Sequence, residues 1–203
     1  MKKFLSLIAV AISVGTFAQT EFGVKAGYNL SGYQIGSYQN QNKSYFYLGG
    51  LAEHKISEKF SLQGELLYTE LGGKDTYEAQ KIIGNEIVNI GTQKLYFHYP
   101  QLQIPLSAKY YFATPFSLSA GLNFGINLNP NLEFDPETLE NKSGKMENIK
   151  TLNIFPFIGT EYQFSNHLFA DARYHFNFIK INEGGGPNHK IAFVQVGLGY
   201  RFK

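Results

Sequence analysis

From Phe22 to Phe202 apolar and polar positions alternate with a period of two, which is the period of a β-strand. The end of the chain shows it most plainly. Val194, Val196, Leu198, Tyr200 and Phe202 alternate with Gln195, Gly197, Gly199 and Arg201. One face is wholly apolar and ends in aromatics; the other is small or polar. The same alternation recurs over 22–30, 46–55, 60–69, 102–112, 116–127, 153–164 and 168–178, which predicts eight strands. The connections alternate in length. Short links fall at Ser57-Glu58, Ala113-Thr114-Pro115 and Ser165-Asn166, and long ones at Tyr33–Ser44, Gly72–Lys94, Asn129–Lys150 and Asn182–Lys190. Ile82-Ile83 and Ile87-Val88-Asn89-Ile90 inside the second long link predict a hairpin that carries its strands beyond the sheet. Pro105 and Pro156 each remove a ladder donor, so a bulge or local kink is expected at both.

An even number of strands, short turns on one side and long polar loops on the other are the pattern of a small barrel that crosses a membrane. Backbone groups in hydrocarbon must all be paired, and a sheet achieves this only by closing on itself. The fold expected is therefore an all-β, eight-stranded antiparallel up-and-down transmembrane β-barrel. Its apolar face meets lipid and its mixed face fills the lumen. That mixed face carries Lys25, Glu53, Lys55, Glu65, Lys109, Glu161, Asp171, Arg173 and Arg201, a near-balanced set predicted to pair as a lumen charge network. A soluble, lipocalin-like barrel would reverse the faces. Charge alone does not separate the two, but aromatics at both ends of many strands favour lipid.

Composition agrees. Charged residues make up 17% of the 203, against roughly 25% in soluble domains, and aromatics make up 16%. The absence of Cys excludes a disulfide framework, thiolate nucleophiles and Cys-ligated zinc. A net charge of +2 gives no argument for nucleic acid. The N-terminus sets the compartment. Met1-Lys2-Lys3, an apolar run from Phe4 to Val14 and Thr16-Phe17-Ala18 form a secretory signal peptide over 1–18, with cleavage before Gln19. A membrane anchor would need about 20 apolar residues, more than this run holds. The barrel domain then covers 19–203, in the outer membrane of a Gram-negative cell.

Tyr99-Pro100-Gln101-Leu102-Gln103-Ile104-Pro105-Leu106, running into Lys109-Tyr110-Tyr111-Phe112, resembles the outer membrane protein beta-barrel domain family, which includes PorT-like proteins. So do Gly23-Val24-Lys25-Ala26-Gly27-Tyr28-Asn29 and Gly197-Leu198-Gly199-Tyr200-Arg201-Phe202. The likeness spans about Glu21 to Lys203 and implies a small barrel of the OmpA/OmpX type. A role in secretion, associated with PorT, is not carried over by these motifs. The chain ends in Lys203, one residue after Phe202, where many such barrels end in an aromatic.

Candidate chemistry is sparse, and no enzyme, cofactor or metal site is expected. An enzymatic barrel needs a nucleophile or acid beside its base. His175 is followed by Phe176-Asn177-Phe178, without a Ser at the spacing of lipid A deacylases, and is expected to hydrogen-bond to Asp171 or the Arg173 network. Glu133, Asp135, Glu137, Glu140 and Glu147 lack the ordered spacing of a calcium loop, so a solvated loop is expected there. The function expected is a structural or interaction role as a monomer. Its partners would be outer-membrane lipid and lipopolysaccharide, and an envelope protein at the long loops. The alternative is a narrow channel or an accessory barrel of a secretion apparatus. Against a channel, eight strands leave a lumen about filled by side chains.

Overall fold

A computed structural model describes residues 19–84, 86–136, 142–184 and 186–202. The predicted segment 1–18 and the acidic positions Glu137 and Glu140 lie outside the described residues. The described residues form eleven strands: β1 (Thr20–Ile35), β2 (Tyr38–Gln39), β3 (Lys43–Lys55), β4 (Phe60–Ile83), β5 (Glu86–Ala113), β6 (Phe116–Asn127), β7 (Asn131–Asp135), β8 (Gly144–Lys145), β9 (Leu152–Gln163), β10 (Leu168–His175) and β11 (His189–Phe202).

Eight of them close a ring. The order is β1, β3, β4, β5, β6, β9, β10 and β11, each antiparallel to the next. β11 returns to pair with β1 from Phe22↔Phe202 to Ile35↔His189. Sequence neighbours are therefore spatial neighbours, and the barrel has no free edge within the bilayer. The apolar phase points outward. Phe22, Val24, Tyr28 and Leu30 of β1 and Val194, Val196, Leu198, Tyr200 and Phe202 of β11 are all exposed. The other phase is buried in the lumen. Its glycines make room for large neighbours there. A Cβ on Gly199 would lie 2.0 Å from the Phe169 ring, and one on Gly197 would lie 1.9 Å from Tyr47 Oη. The small residues of the mixed face thus lie under rings carried by nearby strands.

The 72–94 hairpin is as expected, and three other details differ from the sequence expectation. The link continues β4 and β5, which pair without break from Leu67↔Gln103 to Ala79↔Gly91 and, after a register shift, on to Ile83↔Glu86. Gly84 turns the hairpin at φ 65°, a left-handed conformation that suits glycine. The 129–150 link adds β7 to the edge of β5 and β8 to β7. Pro105 produces no bulge. The β4–β5 register is the same on either side of it, and only the pairs of Glu65 and Leu66 drop out. Pro156 acts by ending a strand. Phe176 N donates to Pro156 O at 2.9 Å, but proline has no N–H to return the bond, and β10 stops at His175.

Candidate functional site: a packed lumen and the ribbon beyond it

The lumen is layered. In the layer nearest the short turns, Glu53, Lys109, Glu161 and Arg201 meet from four strands. Lys109 Nζ lies 2.9 Å from both Glu53 Oε2 and Glu161 Oε2. Arg201 Nη2 lies 2.8 Å from Glu53 Oε2 and 2.7 Å from Glu161 Oε1. Ser61 Oγ donates to Glu53 at 2.6 Å, and Tyr111 Oη also donates to it. Above it stands a second set. Lys25 Nζ is 2.6 Å from Asp171 and 3.5 Å from Glu65, and Arg173 pairs with Glu65 and, at 2.9 Å, with Asp171. Each set holds two cations and two anions and is formally neutral. Gln63 joins them, accepting from Lys109 Nζ at 3.1 Å and donating to Glu65. All eight charged side chains are buried. Desolvating so many ions costs several kcal/mol each, which only such mutual pairing offsets.

Lys55, the ninth residue of the predicted network, is not in it. It ends β3 at the rim, half exposed, where its Nζ meets Glu21 Oε1 at 2.9 Å. Alternation assigned its face correctly, but its height along the barrel puts the ammonium in solvent. Glu21, unmarked in the sequence reading, also lies 3.8 Å from Arg201 Nε. Both line a cavity of about 180 Å³ at this mouth.

The outward half of the lumen is aromatic. Tyr33, Leu71, Phe97, Tyr99, Phe155, Ile181, Ile191 and Phe193 form one buried cluster. Tyr99 Oη donates to Tyr33 Oη at 2.9 Å, and Tyr33 Oη is 2.7 Å from His189 Nδ1. Ile181 comes from the irregular segment after β10, which is held by Lys150 N→Ile181 O and Ile181 N→His189 O, both 2.8 Å. His175 belongs to this apolar layer. Its ring stacks on Phe193 at 4.0 Å and tilts against Phe157 at 4.9 Å, and neither ring nitrogen has a hydrogen-bond partner among the described residues. The expected bond to Asp171 or Arg173 is absent because His175 stands four residues, about 13 Å of strand, beyond Asp171, and the Arg173 guanidinium, two residues away, is held by Glu65 and Asp171.

Beyond the barrel mouth, β4 and β5 continue as a two-stranded ribbon. They run for 24 and 28 residues, whereas β6 and β9 have 12 each. A strand crosses the membrane in about 9–11 residues. Among the described residues, nothing pairs with the outer edge of β4 beyond the Gln41↔Lys74 bridge.

The sequence profile of the outer membrane protein beta-barrel domain matches residues 17–183. The chain belongs to that family. This family member is an outer-membrane protein, as its lipid-facing surface requires. Its fold is similar to that of Ail, the attachment invasion locus protein of Yersinia pestis, solved in complex with the heparin analogue sucrose octasulfate. That likeness has a TM-score of 0.54 at 14% identity, covering 91% of this chain and 99% of Ail. Ail without that ligand gives a TM-score of 0.52, also at 14% identity and with the same coverage. Neisserial surface protein A gives 0.49 at 17% identity, over 89% of this chain and 97% of its own. At such identities the likeness concerns the fold alone. No curated protein matches the chain.

Proposed function

We propose that this outer-membrane barrel is a non-conducting, monomeric anchor that presents the β4–β5 ribbon outside the cell as its interaction surface. The ribbon is the observation that carries this reading. Its strands are more than twice the length needed to span lipid, and among the described residues no strand covers the outer edge of β4 along 78–83, which suits an extended segment of an envelope or extracellular protein. The closed ring supports a monomer, since it leaves no strand edge to pair within the bilayer. Lipid and lipopolysaccharide are the partners of its exposed apolar face. A channel, or a pore serving secretion, gains no support from a lumen filled by two ion-paired layers and an aromatic layer. We also assign 1–18 as a signal peptide, so that N-terminal sequencing of the mature protein should begin at Gln19.

Photo-crosslinking in intact cells tests the ribbon. A photoreactive residue in place of the exposed Glu78 or Gln80 should trap a discrete adduct. The same probe at lipid-facing Leu198 should not. If neither ribbon position yields an adduct in growing or surface-attached cells, the interaction role fails.

A further inference from the structure

β7 is a strand that the chain adds to its own ribbon, and one side-chain cluster spans β4, β5 and β7 there. His98 of β5 points its two ring nitrogens at two carboxylates. Nδ1 meets Glu70 of β4, and Nε2 lies 3.3 Å from Glu133 of β7, close enough for an ion pair but not aligned as a hydrogen bond. The carboxylates lie on opposite sides of the ring, so the arrangement suits an imidazolium and not a shared metal ion. The other charged and titratable groups of the cluster come from β3, β4 and β5. Lys43 Nζ sits over the rings of Tyr45 and Tyr96, at 5.1 and 4.5 Å, and interacts with Glu70, Glu133 and Lys74. The rings of Tyr45 and Tyr96 lie 6.3 and 6.2 Å from that of His98. The cluster lies outside the lipid band. His98 pairs with Gly72, four residues beyond the exposed, lipid-facing Tyr68.

We propose that Glu70, His98 and Glu133 form a pH-sensitive clamp that fastens β7 to the edge of the ribbon. A doubly protonated ring attracts both carboxylates and ties three strands together. A neutral ring keeps one N–H, and its remaining lone pair then faces a carboxylate. Lys43 and Lys74 are left to hold the two anions. The backbone pairs from Lys94↔Asp135 to His98↔Asn131 remain, so loss of the ring's charge loosens β7 without unfolding it. Release would bare the 94–98 edge of β5. The clamp is a property of the fold and stands whether or not the ribbon's other edge binds a partner.

Hydrogen exchange of 131–135, on the whole protein in nanodiscs and corrected for intrinsic rates, tests this. Measurements at about pH 5 and about pH 8.5 bracket the range in which histidine changes charge. The wild type should lose protection about two- to fivefold at the higher pH, the scale of a partly exposed ion pair. His98→Gln and Glu133→Gln should each abolish that step, while exchange in β6 stays unchanged and reports an intact barrel. A wild type with no step, or a His98→Gln variant that retains the wild-type step, would overturn the clamp. Should His98→Gln fail to assemble, the Glu133→Gln variant alone decides between the same two outcomes.

Discussion

Glu53 accepts from Lys109, Arg201, Ser61 and Tyr111, and so lies at the centre of the lower charged layer. Replacing it with Gln leaves two buried cations facing Glu161 alone. Removing one partner of a buried pair costs about 3–5 kcal/mol. Glu53→Gln should lower the urea midpoint accordingly. Adding Lys109→Met, which removes the surplus cation, should restore part of the loss. The chain has no Trp, so the midpoint is best followed by the mobility of the unboiled band. Equal midpoints for wild type and Glu53→Gln would show that the layer is held by something other than its charges. Gly199 is a steric counterpart. Its missing Cβ would lie 2.0 Å from Phe169, so Gly199→Ala should cost about 1–3 kcal/mol by overpacking. Phe169→Leu in the same chain should recover part of it, and failure to do so would place the strain elsewhere.

Among the strands, legibility followed how cleanly one phase was apolar. β11 was readable because only one phase carries large apolar groups from Val194 onward. In β9, Ile154-Phe155-Pro156-Phe157-Ile158 is apolar on both phases, and the period vanishes. Alternation therefore does not mark Phe155 and Phe157 as lumen residues, nor the aromatic layer that they help to form. Alternation reports the face of a side chain but not its height, so Lys55 reads with the buried charges and His175 with Asp171 and Arg173. β10 shows a single proline setting a boundary. Pro156→Ala supplies the missing N–H opposite Phe176, so β10 should extend by a residue pair. The added amide should exchange as slowly as its ladder neighbours, and exchange at a loop-like rate would show that β10 ends for another reason. The ribbon should be separable from the barrel. Replacing 76–92 with a two-residue turn leaves the ring pairing through Gly72↔His98 intact. Heat-modifiability should survive, and its loss would make the ribbon part of the folding core.

For the whole molecule, the proposed seals lie in series. An aromatic layer lies outward, and the two ion-paired layers lie toward the short turns. Purified protein in planar bilayers should show no current steps above leak. Opening the aromatic layer with Phe155→Ala and Phe193→Ala should still give none, because the charged layers remain closed. Discrete steps in the wild type would overturn the non-conducting reading. Steps only in the double variant would show that the charged layers do not seal. The architecture was the most legible property of the sequence, since strand number, short and long connections and facing all follow from one repeated period. The addition of β7 to β5 was not, because pairing between segments distant in the chain leaves no mark in local alternation.

The two neutral quartets have a consequence for descent. Glu53, Lys109, Glu161 and Arg201 lie on four different strands, yet a change at one leaves a bare charge among the others. Such positions cannot drift singly. In related barrels they are expected to be kept together, inverted together or lost together. The Lys25, Glu65, Asp171 and Arg173 set should follow its own history, with Gln63 bonded to a member of each.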